Sequence, residues 1–434
     1  MDDLLQEVKT LFEQKLNVES LLSLSKDLQV ELKQHFISSP QSMLPSFNYT
    51  LPTGDEEGMY LGIEVGGSNL WMALAHLQGR SRGVEPLRVG KPMVFPIDNE
   101  VKKLKEYAFF DWMVENIKEM LTEAGMDPER INGPLRMGNL NVRLDAIVND
   151  SSATLLCRAY MDPATRLAVI LGTGMNAAIH LPTVSLGQSK LAGRPKMKRA
   201  SHVLTNTEFS MYGKNIFPTT RWDDHLNKHH TLPDYQPFEY LIAGGYMGEI
   251  VRLIILEAIR TAGLFDGNIP PSLAIPHAAE LNTKILAEIE TETLHKVRAR
   301  LGSLWGPNPP SPYKLTHADA YFVQQTIRFV SSRSIAYFST GVHALASLLQ
   351  ELETNAGFPI DLDHITIGCD GSVINRYPEY MEKAQKTIDQ MIGMQDGEGK
   401  RVILEKTQAS AVMGAGIAAA LAARPEDEDE DADS

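Results

Sequence analysis

The sequence predicts a duplicated α/β fold, and three glycine-rich turns that follow apolar strands support this prediction. The first turn, Gly66-Gly67-Ser68-Asn69, separates two apolar runs that extend from Met59 to Leu77. The second turn, Gly172-Thr173-Gly174, separates two apolar runs that extend from Leu167 to Leu181. The third turn lies within Ile365–Ser372 and leads into a predicted helix. Apolar runs on both sides of a glycine turn are typical of β-hairpins, so the first two segments form an internal repeat.

The glycine turns have two interpretations. Glycine is common in ordinary hairpin turns, and for either hairpin alone that interpretation is favoured. Glycine also lets backbone N–H groups approach a phosphate closely, and a neighbouring hydroxyl adds a donor. The pair of hairpins, together with the strand, turn and helix around Gly368-Cys369-Asp370-Gly371-Ser372, favours an α/β fold with a nucleotide between its halves.

Helical spacing of apolar residues predicts the remaining elements. Apolar side chains recur at i, i+3 and i+4 in segments separated by prolines and by the strands, and the predicted helices cover residues 2–36, 109–121, 238–262, 318–352, 378–392 and 413–423. Prolines at positions 40, 45 and 52 mark a connector after the first helix.

Length and charge limit the class of protein. The chain has 434 residues, which is too long for one ordinary domain. Its 43% of apolar and 22% of charged residues are typical of a globular protein. The net charge is −14, and seven acidic side chains lie within residues 425–434, which we expect to form a disordered acidic tail. The mildly acidic remainder is unsuited to bulk nucleic-acid binding.

Two cysteines are too few for a disulfide framework and favour a reducing compartment. No apolar run is long enough to span a membrane, and the first residues lack the pattern of a signal peptide or a mitochondrial presequence. The cytoplasm is therefore the expected location. A basic loop between Lys190 and Arg199 leaves a nuclear pool and a regulatory protein partner open, although a solvated loop is favoured.

The segment Asp145–Leu155 contains the first candidate catalytic group. We expect a strand to end at Asn149-Asp150 and a helix to begin in the Ser/Thr-rich residues that follow. A carboxylate at the carboxyl end of a strand faces the crevice in which α/β folds bind ligands. Asp150 is an equally good candidate for a helix N-cap, a role that contributes about 1 kcal/mol. The residue alone leaves both interpretations open.

The order and approximate spacing of these motifs resemble those of the eukaryotic hexokinase/glucokinase family, in particular its divergent fungal hexokinase-like members. The resemblance extends from about residue 50 to about residue 420. Seven segments carry it. Leu51–Glu56 resembles the family's entry to its first phosphate hairpin, Glu64–Asn69 that hairpin itself (Asp-Leu-Gly-Gly-Thr-Asn), Val148–Asp150 its catalytic strand end and Leu171–Ala177 its second phosphate hairpin. Asn206–Phe209 resembles its Asn-Thr/Met-Glu-Trp motif, Phe238–Arg252 its Phe-Glu…Tyr-Leu-Gly-Glu-Leu-Val-Arg segment, and Gly368–Val373 its adenosine-side turn.

The resemblance implies an actin-like (ribonuclease-H-like) ATPase fold in which two α/β lobes close over a sugar and ATP cleft. It implies a large lobe formed by residues 1–58 and 150–405 and a small lobe formed by residues 59–149 and 406–424. It also implies a reaction, the ATP-dependent phosphorylation of glucose or a related hexose at the 6-hydroxyl, with ATP and Mg²⁺ as cofactors.

The same resemblance implies roles for individual residues. Asp150 matches the family's catalytic base, which takes the proton from the attacking hydroxyl. The residues that match the sugar site are Asn149, Asn176, Glu208 and Glu239. Those that match the nucleotide site are Gly66, Gly67, Ser68, Asn69, Gly172, Thr173, Gly174, Ser332, Gly371 and Ser372. Magnesium is expected to be held through phosphates and water, without a direct protein ligand.

Three departures from the family pattern argue against fast turnover. Residues 122–144 lack the family's Phe-Ser-Phe-Pro strand and its Thr-Lys pair, which predicts a shortened small lobe and an incomplete sugar site. Trp71 stands where the family has arginine, and Glu64 stands where it has aspartate. One positioned cation or donor near the reacting group contributes about 10²–10³ in rate. The alternative hypothesis is therefore a catalytically impaired, hexokinase-like sugar sensor or regulatory protein.

A group of histidines offers one further candidate. His225 and His229 have the i, i+4 spacing of a helical metal site, and His230 follows them. A metal site needs a third ligand at the right distance, and Lys228 competes with a bound cation. A solvated surface is the favoured interpretation.

Overall fold

Two β-sheets and the helices that cover them build the structure, which is a computed structural model. It describes most of the chain, namely residues 1–66, 69–82, 85–127, 135–137, 140–142, 144–277, 279–305, 315–360, 364–395, 401–407 and 410–423. Gly67 and Ser68, both predicted to contact the nucleotide, and the predicted acidic tail lie outside the described residues.

The strands form a large mixed sheet, a smaller antiparallel sheet and a short ribbon. In chain order they are β1 (Leu44–Pro45), β2 (Glu57–Val65), β3 (Asn69–Gln78), β4 (Leu87–Val89), β5 (Met93–Pro96), β6 (Leu135–Met137), β7 (Leu140–Val142), β8 (Thr165–Leu171), β9 (Met175–Pro182), β10 (His202–Asn206), β11 (His364–Asp370) and β12 (Arg401–Lys406). The large sheet has the order β1-β10-β9-β8-β11-β12, with β8, β11 and β12 parallel. In the smaller sheet β3 pairs with β2, β4 and β5, and β6 pairs with β7.

The helices cover both sheets and connect them. In chain order they are α1 (Asp2–Glu13), α2 (Val18–Ser38), α3 (Tyr107–Glu123), α4 (Asp150–Met161), α5 (Gln188–Leu191), α6 (Pro195–Arg199), α7 (Arg221–His229), α8 (Pro237–Ile242), α9 (Gly244–Ala262), α10 (Thr283–Thr291), α11 (Leu294–Trp305), α12 (His317–Asn355), α13 (Ser372–Arg376), α14 (Tyr380–Gln395) and α15 (Ser410–Ala422).

Three apolar clusters occupy the interior. The largest lies around the large sheet and includes side chains of α1, α2, α9, α12 and α14. A second lies between the smaller sheet and α3. The third joins β3 to α4 and α15 and reaches Ala168 and Ala178 of the large sheet. The two hairpins predicted from the glycine turns are confirmed as β2-β3 and β8-β9. The division into lobes at the boundaries given above stays a prediction.

Two predicted helices are each divided in the structure. The segment predicted as one helix over residues 2–36 forms α1 and α2, because Lys15 adopts a positive φ of 59° and Asn17 caps the second helix. The segment predicted over residues 238–262 forms α8 and α9, because Ala243 is extended, with φ −79° and ψ 153°. Apolar periodicity continues across both breaks, so the sequence pattern does not show them.

The prediction of a strand that ends at Asn149-Asp150 is wrong. Residues 144–149 belong to no sheet, and among the described residues no strand pairs with them. Alternate side chains nevertheless keep the pattern of a strand, since Ala146 and Val148 pack inward while Ile147 is 85% exposed. Between α3 and α4 the described strands are only β6 and β7, which pair with each other. The segment therefore has the apolar alternation of a strand and lacks a neighbouring strand to pair with.

Three glycines bring α15 into direct contact with the smaller sheet and with α4. A Cβ atom added to Gly414 would overlap the carbonyl oxygen of Ala153 in α4, and one added to Gly62 of β2 would overlap the carbonyl oxygen of Val412. A Cβ atom on Gly416 would lie 2.8 Å from that of Ala75 in β3. Close-packed interiors of this kind have no room for an added methyl group.

The substitution Gly414→Ala should lower the free energy of unfolding by about 1–3 kcal/mol, because the methyl group forces α15 away from α4. The matched control is Gly393→Ala in α14, where an added Cβ has no neighbour within 4 Å. That change should be neutral or slightly stabilising, since alanine favours a helix over glycine by about 1 kcal/mol. Urea unfolding followed by circular dichroism measures both. Equal stabilities for the two variants would contradict the close contact.

Candidate active site

The N-terminus of α4 carries the predicted base, Asp150. Asn149 is the N-cap, and its side-chain oxygen accepts hydrogen bonds from the backbone N–H of Ser151 at 3.0 Å and from the Ser151 hydroxyl at 2.6 Å. Asp150 is the first helical residue, and its Oδ1 accepts from the same N–H at 2.7 Å. The capping role that the sequence left open for Asp150 therefore belongs to Asn149, which is itself a predicted sugar-binding residue.

Three carboxylates from separate elements meet beside α4. Glu64 lies at the end of β2, Asp150 at the start of α4 and Asp370 at the end of β11. Burial raises the pKa of Glu64, and the charges of Asp150 and Asp370 raise it further. Burial also raises the pKa of Asp150, opposed by the Ser151 N–H, although this residue remains accessible from the cleft. A carboxylate with a raised pKa is a better proton acceptor, as a general base requires.

Asp370 connects the third glycine turn to α15. Its Oδ1 accepts hydrogen bonds from the backbone N–H of Gly371 at 2.7 Å and from Nδ2 of Asn375 at 2.9 Å. Its Oδ2 accepts from the backbone N–H of Ser410 at 3.2 Å and from the Ser410 hydroxyl. Sequence reasoning placed Gly371 and Ser372 in the nucleotide site and missed Asp370, although an aspartate between glycines in a turn is a recognisable signal.

Two of the predicted sugar-binding residues, Asn176 and Glu208, belong to one hydrogen-bonded group at β9 and β10. Asn176 donates from Nδ2 to Oδ1 of Asn206 at 3.0 Å, and Asn206 donates from Nδ2 to Oε1 of Glu208 at 2.8 Å. The side-chain oxygen of Asn176 accepts the backbone N–H of Phe209 at 3.2 Å. Glu208 adopts a positive φ of 53°, and its own N–H donates to Asn206 at 3.1 Å. The predicted residues Asn176 and Glu208 thus come together through Asn206, which sequence reasoning did not single out.

Glu239, which lies in α8, is the next predicted sugar-binding residue on this side of the candidate site. It is buried, with 7% of its surface exposed, and Oε2 accepts the backbone N–H of Met175 at 2.8 Å. Burial raises the pKa of Glu239 and the charge of Glu208 adds to the rise, whereas hydrogen bonds from Met175 and the Tyr246 hydroxyl oppose it. A Cβ atom on Gly174 would lie 2.6 Å from Oε2. Glu239 therefore rests directly against the second glycine turn.

A cavity of about 240 Å³ lies between the second and third glycine turns, beside residues predicted to contact the nucleotide. Of the predicted residues, Thr173 and Ser372 line it. The start of α9 and the segment after α9 supply further lining residues that sequence reasoning missed, namely Gly244, Gly245, Gly248, Glu249, His277, Leu281, Asn282 and Thr283. Ser332, predicted near the nucleotide, is exposed on α12 and is not among the lining residues.

Glycine is required at the turns by close contacts. The carbonyl oxygens of Gly172 and Thr173 accept backbone N–H bonds from Gly244 at 2.8 Å and Gly245 at 2.9 Å. Gly371 has a φ of +111°, and a Cβ atom there would overlap the carbonyl of Leu171. In the first turn, the N–H of Gly66 donates to the carbonyl of Asn69 at 2.9 Å.

Comparison with known proteins connects this geometry to a family. Two hexokinase family models match the chain, one over residues 166–421 and the other over residues 6–140. The chain belongs to the hexokinase family. Hexokinase-1 of Schizosaccharomyces pombe is 25% identical to this hexokinase-family chain over 435 residues, covering 88% of the chain and 83% of the relative. The hexokinase of Schwanniomyces occidentalis is 24% identical over 476 residues, covering 95% and 93%.

Solved hexokinase structures confirm the predicted two-lobed, actin-like α/β fold. A hexokinase from Schistosoma mansoni complexed with glucose superposes with a TM-score of 0.78 at 20% identity, covering 97% of this chain and 99% of that chain. A second hexokinase crystal structure superposes with a TM-score of 0.71 at 20% identity. Family membership supports a sugar kinase of the hexokinase type. Among the described helices of this family member, none has the length and apolar character needed to cross a membrane.

The departure at Trp71 lies beside the three carboxylates. In the sheet register Trp71 of β3 is opposite Glu64 of β2 on one side and opposite Val94 of β5 on the other. Its side chain is 40% exposed, and Val94 is 42% exposed. Among the described residues no lysine or arginine forms an ion pair with Glu64, Asp150 or Asp370. This part of the candidate site is therefore acidic, and an aromatic ring stands where the resemblance led us to expect an arginine.

The substitution Gly371→Ala should weaken nucleotide binding about tenfold or more, because the methyl group moves the third turn away from the carbonyl of Leu171 and holding alanine at positive φ costs about 1–2 kcal/mol. Gly267→Ala is the matched control: it also has positive φ, at 78°, but an added Cβ meets nothing within 4 Å. Fluorescence titration with a labelled ATP analogue measures the affinity. The same loss in both variants would show that backbone strain, and not the close contact, is responsible.

Proposed function

We propose that this chain is a hexokinase-type phosphotransferase that binds glucose or a related hexose together with ATP and phosphorylates the 6-hydroxyl at a low rate. One observation supports this proposal above the others. Asn176, Glu208 and Glu239 form a polar group against the second glycine turn, and Asp150 stands at the N-terminus of α4 with a raised pKa. Sugar hydroxyls need such carboxylate and amide partners, and the attacking hydroxyl needs a base.

In the proposed reaction the protein contributes mainly position and electrostatics, as phosphoryl transfer requires. Asn176, Glu208 and Glu239 would bind the hydroxyls of the hexose. Asp150 would accept the proton of the 6-hydroxyl as that oxygen attacks the terminal phosphoryl group of ATP. Backbone N–H groups and hydroxyls of the glycine turns, with Thr173 and Ser372 beside the cavity, would hold the phosphates.

The residues around Asp150 fit a magnesium ion carried by ATP. Among the described residues no three histidine, cysteine or carboxylate side chains are grouped so that they could hold a metal ion directly, so Glu64 and Asp370 would act through the waters that magnesium usually retains. Burial raises the pKa of Glu64, and the charges of Asp150 and Asp370 raise it further, so a bound cation would relieve repulsion at this place. When bound, magnesium neutralises charge on the phosphates. Glu64 and Asp370 would hold it through water, as expected from the sequence.

The low rate follows from the missing cations. Trp71 replaces an arginine of the family, and the family's Thr-Lys pair is absent from residues 122–144. Each positioned cation contributes about 10²–10³ in rate, and kinases typically turn over about 1–100 times per second. The loss of two such groups predicts a turnover well below about one per second.

A catalytically impaired sugar sensor is the second candidate function. It is favoured by one observation, namely that the sugar-side residues are retained while the described carboxylates beside Trp71 have no cationic partner. Such a protein would bind a hexose and a nucleotide without significant turnover. The two candidates share the site and differ only in rate.

A coupled ATP and glucose assay, with calorimetry of hexose binding, separates these functions. We expect measurable hexose binding and a turnover that Asp150→Asn lowers a further 10²–10⁴-fold, which is about the contribution of a general base, with hexose binding retained. Turnover of tens per second in the unaltered protein would contradict the impaired site. Absence of hexose binding, with or without nucleotide, would contradict both functions.

The substitution Trp71→Arg should raise turnover at least about tenfold, because it returns a cation to the carboxylates and to the phosphoryl group. Trp71→Leu is the control, since it removes the aromatic ring without adding charge. The measurement is kcat at saturating glucose and ATP for all three proteins. An equal increase in both variants would assign the effect to the ring, and no increase in either would assign the low rate to the missing segment.

A further inference from the structure

A buried ion pair in α9 lies beside the cavity between the second and third glycine turns. Arg252 donates two hydrogen bonds to the carboxylate of Glu249, from Nε to Oε2 at 2.7 Å and from Nη2 to Oε1 at 2.5 Å. The two side chains are only 6% and 7% exposed. Glu249 lines the cavity, and Arg252 is not among the lining residues. The guanidinium group therefore stands behind the cavity and acts on it through its partners.

The same pair holds the backbone of the chain that follows α9. Nη1 of Arg252 donates to the carbonyl oxygen of Leu273 at 2.8 Å. Oε2 of Glu249 accepts the backbone N–H of His277 at 2.7 Å. Leu273 is fully buried, whereas His277 lines the cavity. All three nitrogens of the guanidinium group and both oxygens of the carboxylate are thus engaged.

His277 has a backbone conformation that needs such a partner. Its φ is +55°, in a region that residues other than glycine adopt infrequently. The hydrogen bond from its N–H to the Glu249 carboxylate is charge-assisted, and bonds of this kind are stronger than those between neutral groups. The ion pair therefore fixes the turn that brings His277 to the cavity.

Glycines of α9 contact the residues that line the cavity after His277. A Cβ atom added to Gly248 would overlap the carbonyl oxygen of Leu281, and one added to Gly244 would lie 2.8 Å from Cγ2 of Thr283. The four lining residues that follow α9 are called the cavity wall here, namely His277, Leu281, Asn282 and Thr283. The ion pair holds the first residue of the cavity wall, and the glycines bring the later ones against the helix.

A metal ion is an alternative partner for Glu249 and His277, since carboxylate and imidazole groups are common metal ligands. Among the described residues, however, no group of three or more histidine, cysteine or carboxylate side chains could hold a metal ion. His225 and His229 of α7 are exposed and stack on each other, with ring centroids 4.1 Å apart. The metal interpretation of the histidines therefore has no support.

We propose that Arg252 is a positioning residue for the nucleotide, which fixes the cavity wall against α9 through Glu249 and Leu273. The proposal rests on the proposed function, because it gives the cavity the task of binding ATP. The planar guanidinium fork can hold a carboxylate and a carbonyl at once, which a lysine cannot do with the same geometry. Without Arg252, Glu249 would be a buried carboxylate without a cation, beside a cavity whose ligand is itself an anion.

The test compares Arg252→Met, which removes the donors and the charge, with Arg252→Lys, which keeps the charge and loses the fork. We expect Arg252→Met to weaken the binding of a labelled ATP analogue at least about tenfold, typical of lost hydrogen bonds to a charged group. Arg252→Lys should recover part of this affinity. Glucose affinity, measured by calorimetry, should stay the same in both variants. An equal loss of nucleotide and glucose affinity would overturn the proposal, because it would show a general structural effect.

Arg333 provides the matched control. It is a second buried arginine, 1% exposed, and it donates to the carboxylate of Asp223 at 2.6 Å and 2.8 Å. Neither Arg333 nor Asp223 lines the cavity. Arg333→Lys should lower the melting temperature as Arg252→Lys does and leave the affinity for the ATP analogue unchanged. An equal loss of nucleotide affinity in the two lysine variants would overturn the proposal, because it would assign the effect to lost stability.

Hydrogen exchange of the His277 amide tests the cavity wall without a nucleotide. This N–H donates to Glu249, so its exchange, followed by NMR, should be about tenfold faster in Arg252→Met and faster to a smaller extent in Arg252→Lys. The Met175 amide is the internal reference, because it donates to Glu239 at 2.8 Å and should keep its exchange rate.

The outcomes separate this proposal from the proposed function. If the unaltered protein binds no ATP analogue, the proposed function fails and the nucleotide role of Arg252 fails with it, whereas the exchange at His277 still shows whether Arg252 holds the cavity wall. If the unaltered protein and Arg252→Met bind the analogue equally well, only the role of Arg252 fails. Unchanged exchange at His277 in Arg252→Met would overturn the proposal whatever the nucleotide affinity.

Discussion

The contact of α15 with α4 and β2 is the constraint on which the rest of the structure depends. It is possible only because Gly62, Gly414 and Gly416 leave no side chain between the elements. The same elements carry functional groups at their ends, since α4 begins at Asp150 and β2 ends beside Glu64. The N-terminus of α15 holds Asp370 through Ser410. One close contact between backbones therefore brings three carboxylates from distant parts of the chain into one place.

This arrangement has an electrostatic consequence. Burial raises the pKa of Glu64, and the charges of Asp150 and Asp370 raise it further, as carboxylates that share a site do. A nucleotide adds further negative charge, so it needs cations to bind and to react. The described part of the chain supplies no ion-pairing lysine or arginine there, and Trp71 stands next to Glu64 in the sheet. This acidic arrangement is the basis of the proposed low rate of phosphoryl transfer.

Glu239 connects the two sides of the candidate site. Its carboxylate accepts the Met175 N–H and leaves no room for a side chain at Gly174, so it touches the turn that is expected to bind phosphate. It also lies beside Glu208 on the sugar side, whose charge affects its pKa. Its orientation would therefore affect both proposed ligands.

The sequence by itself determined the family, the fold class and both hairpins, because glycine turns between apolar runs and ordered motifs are local signals that survive at about 25% identity. The roles assigned to Asp150, Asn176, Glu208 and Glu239 rest on the same motifs and stay predictions. Only the tertiary structure decided that Asn149, and not Asp150, caps α4, that Asn206 and Asp370 join the site, and that Ser332 lies outside the cavity. Asn206 and Asp370 join the site through partners far away in the chain, whereas Asn149 caps α4 through the local backbone geometry at Ser151.

The unpaired segment before α4 shows most clearly that a local sequence pattern does not predict long-range pairing. Residues 144–149 alternate like a strand, as the sequence indicates, yet no described strand pairs with them, and Ile147 is exposed. Local alternation reports which side chains prefer the interior, and a strand forms only when a neighbour accepts its backbone hydrogen bonds. The sequence thus determined which secondary structure each segment favours, and the tertiary structure decided whether a neighbouring strand was present to pair with it.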